Sequence, residues 1–131
     1  MVFERQKKPA QKRLLKITDE QVNKQFKMTQ FEGYYVDKTG NVIKKVGQEF
    51  YRVETTKLKN GGYKIAIPIN EVDKKGKQKS ATIQLHDLIY RTYKGDYEGQ
   101  LQFLDGDRGN CTLDNIISVK ELIEAYNKNN K

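Results

Sequence analysis

Between Tyr63 and Asn70 the side chains alternate, so that Tyr63, Ile65, Ile67 and Ile69 fall on one side of an extended chain. The turn Asn60-Gly61-Gly62 precedes this stretch, and glycine takes up positive φ there without steric cost. A second turn, Asp73-Lys-Lys-Gly-Lys77, leads into another alternation carried by Ala81, Ile83 and Leu85. Period-two patterning between glycine turns commits this region to an antiparallel hairpin. Pro68 lacks a ladder donor, which places its strand at a sheet edge. The same grammar recurs upstream. Tyr34–Val36 and Val42–Val46 flank the turn Asp37–Asn41, and Phe50–Leu58 is expected as one further strand.

Helical spacing appears in three places. Thr18 is a candidate N-cap with Gln21 at the capping-box position, and Ile17 and Val22 are placed as a hydrophobic staple. Val22 and Phe26 share a face at i, i+4. Leu85, Leu88, Ile89 and Tyr93 form a stripe that Gly95 closes as a C-cap. Ser118 and Glu121 form a second capping box, after which Val119, Leu122, Ile123 and Tyr126 are expected to bury one face. Leu101–Leu104 reads as a short strand and Asp105–Asn110 as a tight polar loop. The predicted class is α+β: N-terminal β-hairpins in a small antiparallel sheet, with short N- and C-terminal helices.

With 36% hydrophobic and 32% charged residues, the 131-residue chain can build only a small core. One domain is expected over 17–126, with a flexible basic arm over 1–16 and a polar tail over 127–131. A formal net charge of +8 favours polyanionic partners, nucleic acid first. Lys7, Lys8, Lys12 and Arg13 in the arm, and Lys74, Lys75, Lys77 and Lys79 in the hairpin turn, are the candidate phosphate contacts. The plainer alternatives are a solubilising tail and a solvated hairpin tip. Eight tyrosines can stack on bases, or pack over the core with their hydroxyls exposed.

The one cysteine, Cys111, permits no internal disulfide, and the one histidine, His86, permits no Cys/His zinc finger. At a helix start, His86 is read as a capping or packing group. No apolar run is long enough to span a membrane. The opening residues MVFERQKKPAQKR lack the apolar stretch of a secretory signal. Asp105, Asp107 and Asn110 put oxygen ligands at near-alternate positions, as calcium loops do, but without the loop length or the terminal bidentate Glu. No dedicated metal or cofactor is expected, beyond a weakly held Mg²⁺ or Ca²⁺.

Three blocks in order carry a resemblance. They are Phe31-Glu-Gly-Tyr-Tyr-Val-Asp-Lys-Thr-Gly-Asn-Val-Ile43; then Leu58–Pro68 with the lysine turn and Leu85-His-Asp-Leu-Ile-Tyr90; and finally Leu101-Gln-Phe-Leu-Asp-Gly-Asp-Arg-Gly-Asn-Cys-Thr-Leu-Asp-Asn-Ile116. Over residues 31–119 the chain resembles the HNH (ββα-metal) homing endonucleases of phages and mobile introns. The resemblance implies a ββα-metal motif after the hairpins. It implies a histidine as general base at the position held here by Phe103, and a metal ligand at the position held by Gln102. Phenylalanine cannot take a proton, so the expected catalytic set is empty, Gln102 and Phe103 being its degenerate positions. Asp105, Asn110 and Asn115 remain as motif remnants; Asn115 is expected at the metal site and Asn110 is expected to brace the loop. The implied protein is an inactive HNH-like pseudoenzyme that binds DNA. Two alternatives stay open: a phage virion component packing against capsid, portal or tail proteins, and a residual metal-dependent nuclease using Gln102, Asp105 or His86. The expected location is the host cytoplasm or the virion.

Overall fold

The computed structural model describes residues 14–129, apart from the side chains of 69–71 and 129. The arm cations Lys7, Lys8, Lys12 and Arg13 therefore lie outside the described residues, as do the side chain of Ile69 and the end of the polar tail.

Strand β1 (Leu14–Leu15) is followed by helix α1 (Asp19–Gln25). Both halves of the predicted capping box form: the Thr18 hydroxyl accepts from the Gln21 N–H at 3.1 Å, and the Gln21 carbonyl accepts from the Thr18 N–H at 2.9 Å. Strands β2 (Lys27–Met28), β3 (Tyr34–Val36), β4 (Val42–Val46) and β5 (Glu49–Arg52) complete an antiparallel sheet in the order β1-β5-β4-β3-β2. Leu14 and Leu15, assigned from sequence to the arm, pair with Tyr51 and Phe50.

The strand expected over Phe50–Leu58 is instead broken. Its first part is β5, and its second is β6 (Thr56–Lys57), which joins a different sheet. That sheet has the order β6-β7-β8, with β7 at Tyr63–Val72 and β8 at Gln78–Gln84. β7 is therefore the central strand of its sheet and not the edge strand that Pro68 suggested; the proline is accommodated because β6 is too short to reach it. β6 flanks β7 only at Tyr63 and Lys64, and at Pro68 the strand has β8 alone beside it, through Ser80. The register then shifts between Pro68 and Val72.

Helix α2 (Leu85–Lys94) starts where β8 ends and stops at Gly95, whose φ of 91° suits only glycine well. Its stripe forms the centre of the molecule. Leu85, Leu88 and Ile89 pack with Val36 and Val42 of the first sheet, Ile65 and Ile67 of the second, and Cys111 and Leu113. The opposite face of the first sheet is covered by α1. There Val22, Ile43 and Phe50 are buried together with Leu15, Ile17 and Phe26 at their margin. Neighbouring residues Val42 and Ile43 thus serve two cores, as strand alternation requires.

The last unit consists of β9 (Gln102–Phe103), a single 3-10 turn (Leu113–Asn115), β10 (Ile116–Ile117) and helix α3 (Val119–Asn129). β9 and β10 pair antiparallel, Phe103 opposite Ile116 and Gln102 opposite Ile117. Tyr90, Leu101 and Ile116 form a third small core, with Tyr97 and Phe103 against it.

Two expectations fail in α3. The helix runs on to Asn129, into the stretch expected as a polar tail. Its apolar face is not buried: Val119, Leu122, Ile123 and Tyr126 are 38%, 44%, 53% and 67% exposed. What holds α3 is polar. Glu121 closes the predicted capping box with Ser118, accepts from the Tyr90 hydroxyl at 2.6 Å, and pairs with Lys94 at 3.0 Å. Partial burial opposes ionisation of Glu121. The hydrogen bonds from Tyr90 and the Ser118 backbone, with the Lys94 charge, outweigh it and hold the carboxyl down at about 2.

Candidate functional site

The site grows from the loop between β9 and the 3-10 turn. Asp105 organises that loop with its carboxylate. Oδ1 accepts from the Asp107 N–H at 2.8 Å and from Asn115 Nδ2 at 2.9 Å, and Oδ2 accepts from Asn110 Nδ2 at 2.9 Å. The amide donors of Asn110, then Asp107 and Asn115, hold the Asp105 carboxyl below the usual carboxylate range.

Asn115 is buried and fully engaged. Its carbonyl accepts from the Asp105 N–H at 3.0 Å, and its Nδ2 also donates to the Asn110 carbonyl at 2.9 Å. Where the resemblance implied a place at a metal site for Asn115, both of its polar atoms take part in bracing the loop. Asn110 does brace the loop as expected, and its carbonyl accepts from the Thr112 hydroxyl at 2.5 Å.

Phe103 is half-buried and turned inward, as its alternation with exposed Gln102 predicts. The fold brings His86 beside it, although the two are distant in sequence. The rings meet edge to face at 4.9 Å between centroids. On the loop side the Arg108 guanidinium lies over the Phe103 ring at 5.8 Å. The phenyl ring thus sits between the chain's one imidazole and a loop cation. His86 is 8% exposed, and its Nδ1 is buried with no hydrogen-bond partner. Burial is the largest influence on this imidazole and favours its neutral form. Asp87 works against that effect and Arg108 adds to it.

This set does not fit a divalent metal centre. Phe103 offers no ligand atom, Gln102 is neutral and exposed, and Asp105 and Asn115 are committed to one another. Among the described residues no three His, Cys, Asp or Glu side chains gather at metal-binding distance. Cys111 is buried, and its thiol is pushed up to about 11 by burial and by Asp107, which disfavours the thiolate.

Two turns converge on the loop. The Asp37 carboxylate accepts from the Thr39 and Asn41 N–H groups at 2.9 and 2.8 Å, and the Lys38 carbonyl accepts from the Leu113 N–H at 2.7 Å. The Asn60 side chain accepts from the Gly62 N–H at 2.9 Å, and this turn packs against Arg108 and Gly109. A Cβ on Gly109 would stand 3.1 Å from the Gly61 carbonyl, so the approach of the two turns depends on glycine there. Sequence reading passed over Arg108 and Gly109. Only the match of the loop to its neighbouring turn explains them.

The lysine hairpin is where it was expected. Lys74, Lys75, Lys77 and Lys79 are exposed at the β7–β8 turn, which Asp73 braces by accepting from the Lys75 and Lys77 N–H groups. The tyrosines depart from expectation, because several hydroxyls are hydrogen-bonded rather than free. Tyr93 donates to the Val36 carbonyl at 3.0 Å, and Tyr97 donates to Asp87, which also takes Arg91 at 3.0 Å. Burial, then the Asp87 hydrogen bond, raise the Tyr97 phenol to about 12.

No protein-family model matches the chain, and no curated protein matches it. Among solved structures it is similar to the HNH homing endonuclease I-HmuI, in a structure of DNA binding and cleavage by that enzyme. The identity is 24% and the TM-score 0.55 over 79% of this chain. The match spans 57% of the I-HmuI chain. The antiparallel β9–β10 pair leading into α3, behind small antiparallel sheets, thus gives this chain an α+β fold of the HNH homing-endonuclease kind.

Proposed function

We propose that this chain is a nucleic-acid-binding protein built on an HNH-type scaffold that no longer hydrolyses its ligand. The arrangement around Phe103 supports this most directly. An apolar ring fills the space between His86 and Arg108, where a base and its water would need to stand. Asp105, Asn110 and Asn115 meanwhile satisfy one another rather than turning outward. The binding half rests on the net charge of +8, on the exposed lysines at the β7–β8 turn, and on the likeness to an endonuclease that binds and cleaves DNA. Affinity of this origin is mostly independent of sequence and falls steeply with salt. The decisive experiment pairs a gel shift on duplex DNA at low and moderate salt with a plasmid-nicking assay in Mg²⁺ or Mn²⁺. Binding without nicking is the expected result. Robust nicking that His86→Ala or Asn115→Ala abolishes would overturn the inactive reading.

A second reading is favoured by α3. Four large apolar side chains exposed along one helix face suit a protein–protein contact, as in a phage particle where this scaffold packs against capsid, portal or tail subunits. Undetectable DNA binding at low salt, together with co-sedimentation with virions, would put this reading first.

A further inference from the structure

We propose that the groove between α1, β2, the β3–β4 turn and the C-terminal end of α2 is a second nucleic-acid contact, in which Lys27 and Lys38 take a backbone phosphate beside the ring of Tyr93. The proposal rests on the nucleic-acid reading above and adds a place for the ligand that the sequence did not indicate. The groove has a volume of about 610 Å³, enough for a phosphodiester with its sugar. Two ammonium groups from different elements converge on one aromatic ring: Lys27 Nζ lies 5.7 Å and Lys38 Nζ 5.8 Å from the Tyr93 centroid. Among the described residues neither lysine has a carboxylate within ion-pair distance. The acid lining the groove, Asp37, spends its oxygens on the N–H groups and side chains of Thr39 and Asn41. Asp37 keeps its negative charge in the groove but is hydrogen-bonded within its own turn and pairs with neither lysine, so both ammonium groups remain open to a polyanion.

The ring is fixed as well as flanked, because the Tyr93 hydroxyl donates to the Val36 carbonyl and the chain there is half-buried. A fixed aromatic beside cations is the element that single-stranded and backbone binders use, the ring meeting a base or sugar while the cations meet phosphate. The groove is also joined to the loop carrying Arg108. Lys38 accepts from the Leu113 N–H, and Gly40 abuts Cys111, so cations of the turn and the loop belong to one rigid surface.

The test uses the full chain and two readouts. In the first, inorganic phosphate and then a deoxynucleoside monophosphate are titrated while the Tyr93 ring resonances are followed by NMR. Saturable shifts are expected in the wild type and in a Lys74→Gln/Lys75→Gln variant, and are expected to vanish in Lys27→Gln/Lys38→Gln. In the second, the dependence of duplex affinity on salt is measured. Each phosphate contact contributes about 0.9 to the slope, so Lys27→Gln/Lys38→Gln, which removes one shared phosphate contact, should lower it by about 1. An unchanged slope with DNA binding intact overturns this site and leaves the nucleic-acid reading standing. Shifts at Tyr93 without duplex binding would leave an anion site there and overturn its assignment to nucleic acid together with the nucleic-acid reading. Equal or larger shifts with a glutamate peptide in place of the nucleotide would reject the nucleic-acid assignment of the groove.

Discussion

Asn115→Ala separates a loop brace from a metal ligand. The side chain makes three hydrogen bonds: it accepts from the Asp105 N–H at 3.0 Å, and donates to Asp105 Oδ1 and the Asn110 carbonyl at 2.9 Å each. The two neutral bonds are worth about 1 kcal/mol each, and the bond to the carboxylate somewhat more, reduced because Asp105 is reachable by water. The sum is about 3 kcal/mol, which for a domain of this size lowers Tm by roughly 10 °C. The chain has no tryptophan, so urea unfolding is best followed by far-UV circular dichroism. Asn115→Asp sharpens the result. It keeps an acceptor for the Asp105 N–H but loses both donations and sets a second carboxylate against Asp105 Oδ1. At neutral pH it should therefore be less stable than the alanine variant, and it should recover as pH falls and one of the two carboxylates protonates. If Asn115 were a metal ligand, millimolar Mg²⁺ would stabilise the wild type, and Asn115→Asp would bind the ion better still. A cost below about 1 kcal/mol for Asn115→Ala, or Mg²⁺-dependent stabilisation of Asn115→Asp, would refute the bracing argument.

Phe103→Ala should cost about 2 kcal/mol, below the range for a fully buried phenylalanine because the ring is half-exposed against Tyr90, Leu101 and Ile116; calorimetry checks this. Replacing Lys74, Lys75, Lys77 and Lys79 by Gln should weaken duplex binding for all sequences alike and flatten the salt dependence by up to about 3–4, read from titrations at several salt concentrations. Leu122→Gln with Ile123→Lys should change stability by less than about 0.5 kcal/mol, since both side chains are already exposed; denaturant midpoints decide it. The Glu121 carboxyl is held below its unfolded value, so its contribution is present above the ordinary carboxylate pKa and is lost as pH falls from about 4.5 towards about 2. Stability of Glu121→Gln should accordingly be less sensitive to acid than that of the wild type over that window.

The sequence was most legible where one local pattern settles the outcome. Both capping boxes, the Gly95 stop and the stripe Leu85, Leu88, Ile89 need only neighbours within one turn, and all form as read. The hairpins around Asp37–Asn41 and Asp73–Lys77 follow for the same reason: an aspartate at the turn's first position captures the following N–H groups. Failures occur where the decision is tertiary. The run Phe50–Leu58 has strand-forming residues throughout, yet its halves are drawn to different sheets, and no period within nine residues announces that. α3 has a well-formed apolar stripe, but a stripe states only that a face is unsuited to water, and here its four side chains stay 38% to 67% exposed. His86 and Phe103 lie on separate elements, and only the docking of α2 against the β9–β10 unit brings the rings together.

The same distinction explains how the loop keeps its shape without the reactive groups that the resemblance implies. Its geometry is set by short-range amide and carboxylate bonds among Asp105, Asp107, Asn110 and Asn115, none of which passes through position 102 or 103. β9 needs only backbone pairing and one inward apolar side chain, and phenylalanine serves as well there as histidine or better, because its burial against Ile116 adds apolar area. Phe103 meets His86 edge to face and lies under the Arg108 guanidinium, contacts that need no ionisable group, while His86 Nδ1 stays without a partner beside it. The bracing of the loop and the side chain at position 103 are therefore structurally independent of one another.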